Sequence, residues 1–97
     1  MRRQDVLKAL ETNRAELQAM GVKSLQLFGS LARDEARDSS DVDLLVEFDR
    51  PVGLLHFAGV EEYIESLLGG VKVDLVLKRA LREEFRQQVF QEAINAL

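Results

Sequence analysis

The chain has 97 residues, 46% of them hydrophobic and 31% charged, with a formal net charge of −4 and no cysteine. That length is close to one ordinary domain, and the balance is that of a folded soluble protein, which excludes a disordered or collagen-like chain. Disulfides and thiolate zinc sites are excluded with cysteine, and the acidic balance argues against duplex nucleic acid as the main ligand, which calls for a basic face.

In chain order, Val6, Leu10, Leu17 and Met20 recur near helical spacing and Gly21 stands where a helix would stop, which predicts an amphipathic helix over residues 3–20. Ser24 to Phe28 alternates and ends at Gly29-Ser30, the pattern of a half-buried strand running into a tight turn. Leu31 to Ala36 reads as a short helix or helical turn, and Arg37-Asp38-Ser39-Ser40 as a polar turn. From Asp41 to Phe48 a strand is predicted, with Val42, Leu44, Val46 and Phe48 on one face and Asp41, Asp43, Leu45 and Glu47 on the other. Asp49 to Gly53 breaks it. Phe57, Val60, Ile64 and Leu67 mark a helix closed by Gly69-Gly70. Another strand is expected over Val71 to Leu77, with Asp74 facing away from the Val71, Val73, Leu75 and Leu77 stripe. A last helix is expected from Leu81 to Leu97, on the four-residue spacing of Leu81, Phe85, Val89, Ala93 and Leu97.

No repeat or linker interrupts this order, so residues 1–97 read as a single α/β domain. A chain this short buries a modest share of its surface, which favours a partner protein or a homo-oligomeric face. The N-terminal segment lacks the apolar stretch of a signal peptide and no run is long enough to span a bilayer, so a cytoplasmic protein without membrane contact is expected.

Two places carry chemistry. Asp41 and Asp43, at i and i+2 of a strand, point the same way with α-carbons roughly 7 Å apart. Divalent cations fit between such carboxylates and a triphosphate, and magnesium prefers hard oxygen ligands completed by water and substrate. If the two acidic strands are neighbours, Asp74 reaches the same metal site and serves as general base toward an attacking hydroxyl; otherwise it pairs with Lys72 or Lys78 on a solvated surface. The second place is Phe28-Gly29-Ser30-Leu31-Ala32-Arg33, where glycine allows close backbone approach to an anion and the serine hydroxyl adds a donor. For His56 and Tyr63 ordinary packing is expected, and no ligand role for Glu47. Lys78, Arg79, Arg82 and Arg86 form a basic cluster that is either a solvated face or meets an acidic partner surface.

Gly29-Ser30-Leu31-Ala32-Arg33, then Ser40-Asp41-Val42-Asp43-Leu44-Leu45-Val46-Glu47-Phe48, then Val73-Asp74-Leu75-Val76 resemble the signature of the minimal nucleotidyltransferases of the DNA polymerase β superfold. The likeness runs over nearly the whole chain. It implies a small mixed sheet flanked by helices, two magnesium ions at Asp41, Asp43 and Asp74, and nucleotide phosphates at Gly29 and Ser30 with Arg33 nearby. It also implies adenylyl transfer from ATP to a tyrosine of a HEPN-domain ribonuclease toxin, the chain acting as its antitoxin. Two other readings stay open: an antitoxin that neutralises by binding alone, and an antibiotic-type nucleotidyltransferase, which usually needs a further domain. At Asp34 the sequence departs from the family, whose members commonly carry a second glycine there; its carboxylate either weakens nucleotide binding or points to solvent.

Overall fold

Alternating apolar side chains bring three of the segments into one sheet. The computed structural model describes residues 1–33 and 41–97, so Asp34, the expected helical continuation to Ala36 and the turn from Arg37 to Ser40 lie outside the described residues. Strands β1 (Val22–Phe28), β2 (Val42–Phe48), β3 (Val73–Leu77) and the two-residue β4 (Ile94–Asn95) form a sheet of order β3-β2-β1-β4. β2 runs antiparallel to β1 and parallel to β3, and β4 runs antiparallel to β1. The sheet is therefore mixed, with β2 and β1 at its centre.

One face of the sheet is covered by α1 (Arg3–Thr12), α2 (Arg14–Ala19) and α4 (Leu54–Leu67). Val6, Leu10, Leu17, Val60 and Ile64 from these helices bury against Leu25, Leu27, Val42, Leu44, Val46, Val73 and Leu75. This is the two-layer solution by which a sheet and amphipathic helices hide their apolar sides. Leu45 is also buried, 1% exposed, but it points to the opposite face with Asp43 and Glu47 and lies outside that cluster. Among the described residues no helix is long and apolar enough to cross a membrane.

The chain departs from the expected elements at both ends. Where one helix is expected over 3–20, there are two, broken at Asn13, whose backbone leaves helical geometry and whose side-chain amide donates to the Ala9 carbonyl at 2.8 Å. A short amide that bonds the preceding turn competes with continuation of the helix. The expected helix over 81–97 is shorter too: a 3₁₀ turn at Lys78–Ala80 precedes α5 (Glu83–Glu92), and the chain then turns extended at Ala93. Ile94 and Asn95 pair with Leu27 and Gln26, and the Ala96 N–H donates to the Leu25 carbonyl at 2.8 Å. Pairing the open edge of β1 and burying Ala96 satisfies more backbone groups than another turn of exposed helix would.

The opposite edge of the sheet is finished by side chains. The outward N–H groups of Val73 and Leu75 on β3 donate to carboxylates of α4, to Glu65 at 2.9 Å and to Glu61 at 3.1 Å. Glu61 and Glu65 are one helical turn apart, which matches the two-residue step between outward N–H groups along a strand. Replacing both with alanine is expected to cost about 3 kcal/mol, about 1.5 kcal/mol for each charge-assisted hydrogen bond. A urea titration of the double variant measures it, and an unchanged midpoint would show that water replaces the carboxylates without loss.

Candidate functional site

The face of the sheet away from α1, α2 and α4 carries the acidic residues. Asp43 is half-buried near the start of β2, directly in register with Asp74 on one side and Phe28 on the other. Residues in register on neighbouring strands project to the same face, so the Asp74 carboxylate stands beside that of Asp43. Asp74 is exposed. Asp41, two residues before Asp43 and exposed, has a carboxylate oxygen 3.9 Å from the Lys72 ammonium. Thus the structure brings Asp43 and Asp74 together, with Asp41 at the rim.

Electrostatics bear out that crowding. The Asp43 carboxyl is pushed above its ordinary value, first by burial and then by the charges of Asp74 and Asp41, while Arg33 pulls it partly back. Among the described residues no three acidic or imidazole groups are drawn into a ready-made metal cage. The donors nevertheless suit a hard divalent cation: they are carboxylate oxygens, and their mutual repulsion is the unfavourable state that such a cation relieves.

The turn between β1 and α3 (Gly29–Ala32) is built around one close approach. Gly29 has φ +76°, and a Cβ there would run into the Asp43 carboxylate, standing 3.1 Å from its Cγ. Only glycine both adopts this angle without strain and leaves room for the carboxylate. Ser30 follows, half-buried, and its hydroxyl has no hydrogen-bond partner among the described residues. The end of α3 is held from outside, since an Arg3 guanidinium N–H donates to the Ala32 carbonyl at 3.0 Å.

Arg33 reaches across to α5, where it pairs with Glu92 at 3.0 Å. Together with Phe28, Asp74, Val76, Leu81, Phe85, Gln88 and Val89, these two line an open cleft of about 480 Å³ between the acidic face and α5. The α5 contribution is what sequence reasoning missed: the spacing of Phe85 and Val89 predicted a helix and nothing of the cleft, and no residue of α5 is buried. A second cleft, about 530 Å³, lies at the other end of β2 among Glu47, Arg50, Lys78, Arg79 and Arg86.

The remaining polar residues are engaged locally. Glu47 accepts from the Ser24 hydroxyl at 2.9 Å and lies 3.5 Å from Lys78; first the Ser24 hydrogen bond and then Lys78 hold its carboxyl below the usual range. His56 bonds the Met20 carbonyl at 2.6 Å and meets the Phe48 ring edge-on, and Tyr63 packs against the core. In the basic cluster, Arg82 pairs with Glu84 at 3.6 Å and Arg86 with Glu83 at 3.4 Å.

The raised Asp43 value makes a prediction about the metal-free protein. A carboxyl that holds its proton more tightly when folded than at its unfolded value of 3.8 makes the folded state the better proton binder above that pH. Its contribution to stability is therefore complete below 3.8 and is lost as pH rises through the raised folded value. Asp43→Asn carries no such penalty. In chelator-treated samples, the stability of the variant relative to the parent is expected to grow between roughly pH 4 and pH 7. Parallel denaturation curves at a series of pH values check this, and a constant difference would contradict it.

Comparison with known proteins places this geometry among nucleotide-handling folds. The model of the nucleotidyltransferase domain matches residues 6–96. The protein adenylyltransferase MntA of Thermococcus cleftensis is 39% identical over 92 residues, covering 94% of this chain and 92% of that relative. A solved structure described as a minimal nucleotidyltransferase superposes with a TM-score of 0.82 at 39% identity, over 97% of this chain and 95% of that one. A chain in the complex of a tri-AMPylated Shewanella oneidensis HEPN toxin with an MNT antitoxin superposes with a TM-score of 0.59, over 90% of this chain and 71% of that one. Its identity is 19%, so that likeness is one of fold.

Proposed function

Because this chain belongs to the nucleotidyltransferase-domain family, we propose that it transfers AMP from ATP to a hydroxyl of a partner protein. The partner is a HEPN-domain toxin, the acceptor one of its tyrosines, and the chain works as the cytoplasmic antitoxin of the pair. The observation that carries this reading is the facing pair Asp43 and Asp74, with the Gly29 turn packed against Asp43. The name of the Thermococcus relative supports adenylyl transfer, and the Shewanella complex supports a HEPN toxin as acceptor.

In this mechanism Asp41, Asp43 and Asp74 would hold two magnesium ions, which would supply positive charge to the triphosphate as negative charge builds on it. Gly29 lets the backbone come close to the terminal phosphates, and the Ser30 hydroxyl donates to them. Arg33, already within electrostatic reach of Asp43, adds a cation to the same end of the cleft. The acceptor hydroxyl oxygen bonds to the α-phosphorus as the bond from that phosphorus to the bridging oxygen breaks, and pyrophosphate leaves. The hydroxyl proton passes to Asp74, whose carboxylate is exposed and so open to a protein acceptor.

Incubation with a HEPN partner, magnesium and ATP labelled at either the α- or the γ-phosphate tests the proposal. The α-label is expected on the partner and the γ-label in pyrophosphate, and phenylalanine at the acceptor tyrosine removes the protein label. Neutralisation of the toxin with no label transferred would replace this reading with inhibition by binding alone.

A further inference from the structure

Helix α5 sets an apolar surface beside the carboxylates that the transfer chemistry does not use. Phe85, Gln88 and Val89 are three and four residues apart and so share one helical face. With Leu81, and with Val76 and Phe28 of the sheet, they line the same cleft as Asp74, Arg33 and Glu92. Phe85 is 48% exposed, a large ring left toward solvent, and no α5 residue is buried. The exposed Gln88 amide makes no hydrogen bond among the described residues.

The cleft thus has two unlike halves. One carries Asp74 and the ion pair of Arg33 with Glu92 next to Asp43; the other is apolar and furnished with a single amide. A nucleotide has the same two ends, an anionic chain and a neutral aromatic base with a hydrogen-bonding edge. Its volume, about 480 Å³, lies within the range of small-ligand pockets. We propose that this face of α5 is the nucleobase site, with Phe85 stacking on the base and Gln88 reading its edge in favour of adenine. The inference rests on the nucleotidyl-transfer reading above and assigns the end of the substrate which that reading leaves open.

The adenine preference follows from donors and acceptors where Gln88 meets the N7 edge of the base, because guanine's O6 and N1–H edge would also match a carboxamide. Adenine presents its amino group next to a ring nitrogen, a donor beside an acceptor, and one carboxamide matches both. Guanine presents two adjacent acceptors on its N7 and O6 edge, so one amide group is left mismatched. Stacking itself is indifferent to base identity and supplies affinity instead.

Calorimetry on the full chain with magnesium and ATP, GTP or inorganic tripolyphosphate tests the assignment. Phe85→Leu keeps apolar bulk without the ring and is expected to weaken ATP binding about tenfold. Tripolyphosphate, which has no base, should bind the variant within about twofold of the parent. Phe85→Trp should retain ATP affinity, and Gln88→Leu should shrink the preference for ATP over GTP. Equal ATP affinity in parent and Phe85→Leu, or equal losses for ATP and tripolyphosphate, would overturn the base site while leaving nucleotidyl transfer in place. Failure of the parent to bind either ATP or tripolyphosphate would instead remove the nucleotidyl-transfer reading, and this assignment with it. Thermal melts of each variant exclude misfolding as the cause of a loss.

Discussion

Asp43→Asn is expected to lower the rate of AMP transfer by about a thousandfold without unfolding the protein. The size follows from the proposed function, in which Asp43 would be an oxygen donor for magnesium, whose charge stabilisation is worth several kcal/mol, about 4 kcal/mol for a factor of 10³. The intact fold follows from the position of the residue: it is half-buried, crowded by Asp74 and Asp41, and strained by its charge more than supported by it. Asparagine keeps the shape and removes the charge. Magnesium with ATP should raise the melting temperature of the parent by mass action and leave that of the variant unmoved. Transfer at the parental rate by a variant that no longer responds to magnesium would separate Asp43 from the reaction.

The second large effect is at Gly29. Alanine there meets two obstacles at once, a φ of +76° and a Cβ that collides with the Asp43 carboxylate. Backbone strain of this kind costs about 1–2 kcal/mol. The collision also pushes a carboxylate out of place, and a displacement of about 1 Å at a reacting centre costs roughly a hundredfold in rate. Gly69 provides the control, because its φ is +73° but a Cβ there meets nothing within 4 Å. Gly69→Ala should share the strain and keep the activity. Denaturation curves and transfer rates measured together on both variants decide the matter; similar losses of activity would trace the Gly29 effect to backbone strain alone.

Much of the sheet was legible because its signal is local. In β2 the apolar positions Val42, Leu44 and Val46 alternate with Asp43 and Glu47, and that period alone assigns each side chain to a face. The same holds for Asp74 among Val73 and Leu75. The break at Asn13 was not legible, since Leu10 and Leu17 keep one buried face across it and periodicity is blind to a single changed dihedral pair. Nor was β4: a two-residue strand exists only because β1 has an open edge, a fact of tertiary arrangement. The helix α5 could be read from its spacing, but spacing says that one side is apolar and not what that side faces. In the candidate site, the proximity of Asp43 and Asp74 required knowing that β2 and β3 are parallel and in register. The contact between Gly29 and Asp43 required knowing that β1 returns alongside β2.

The carboxylates of Glu61 and Glu65 on β3 have a consequence for company. A bare strand invites another chain to lie down alongside it, and this one has already given two of its outward donors, the N–H groups of Val73 and Leu75, to its own helix. At the far border β4 offers only two residues, too few to recruit a neighbour. Growth of the sheet from molecule to molecule, the usual road from a small α/β protein to insoluble fibres, is therefore opposed at both borders.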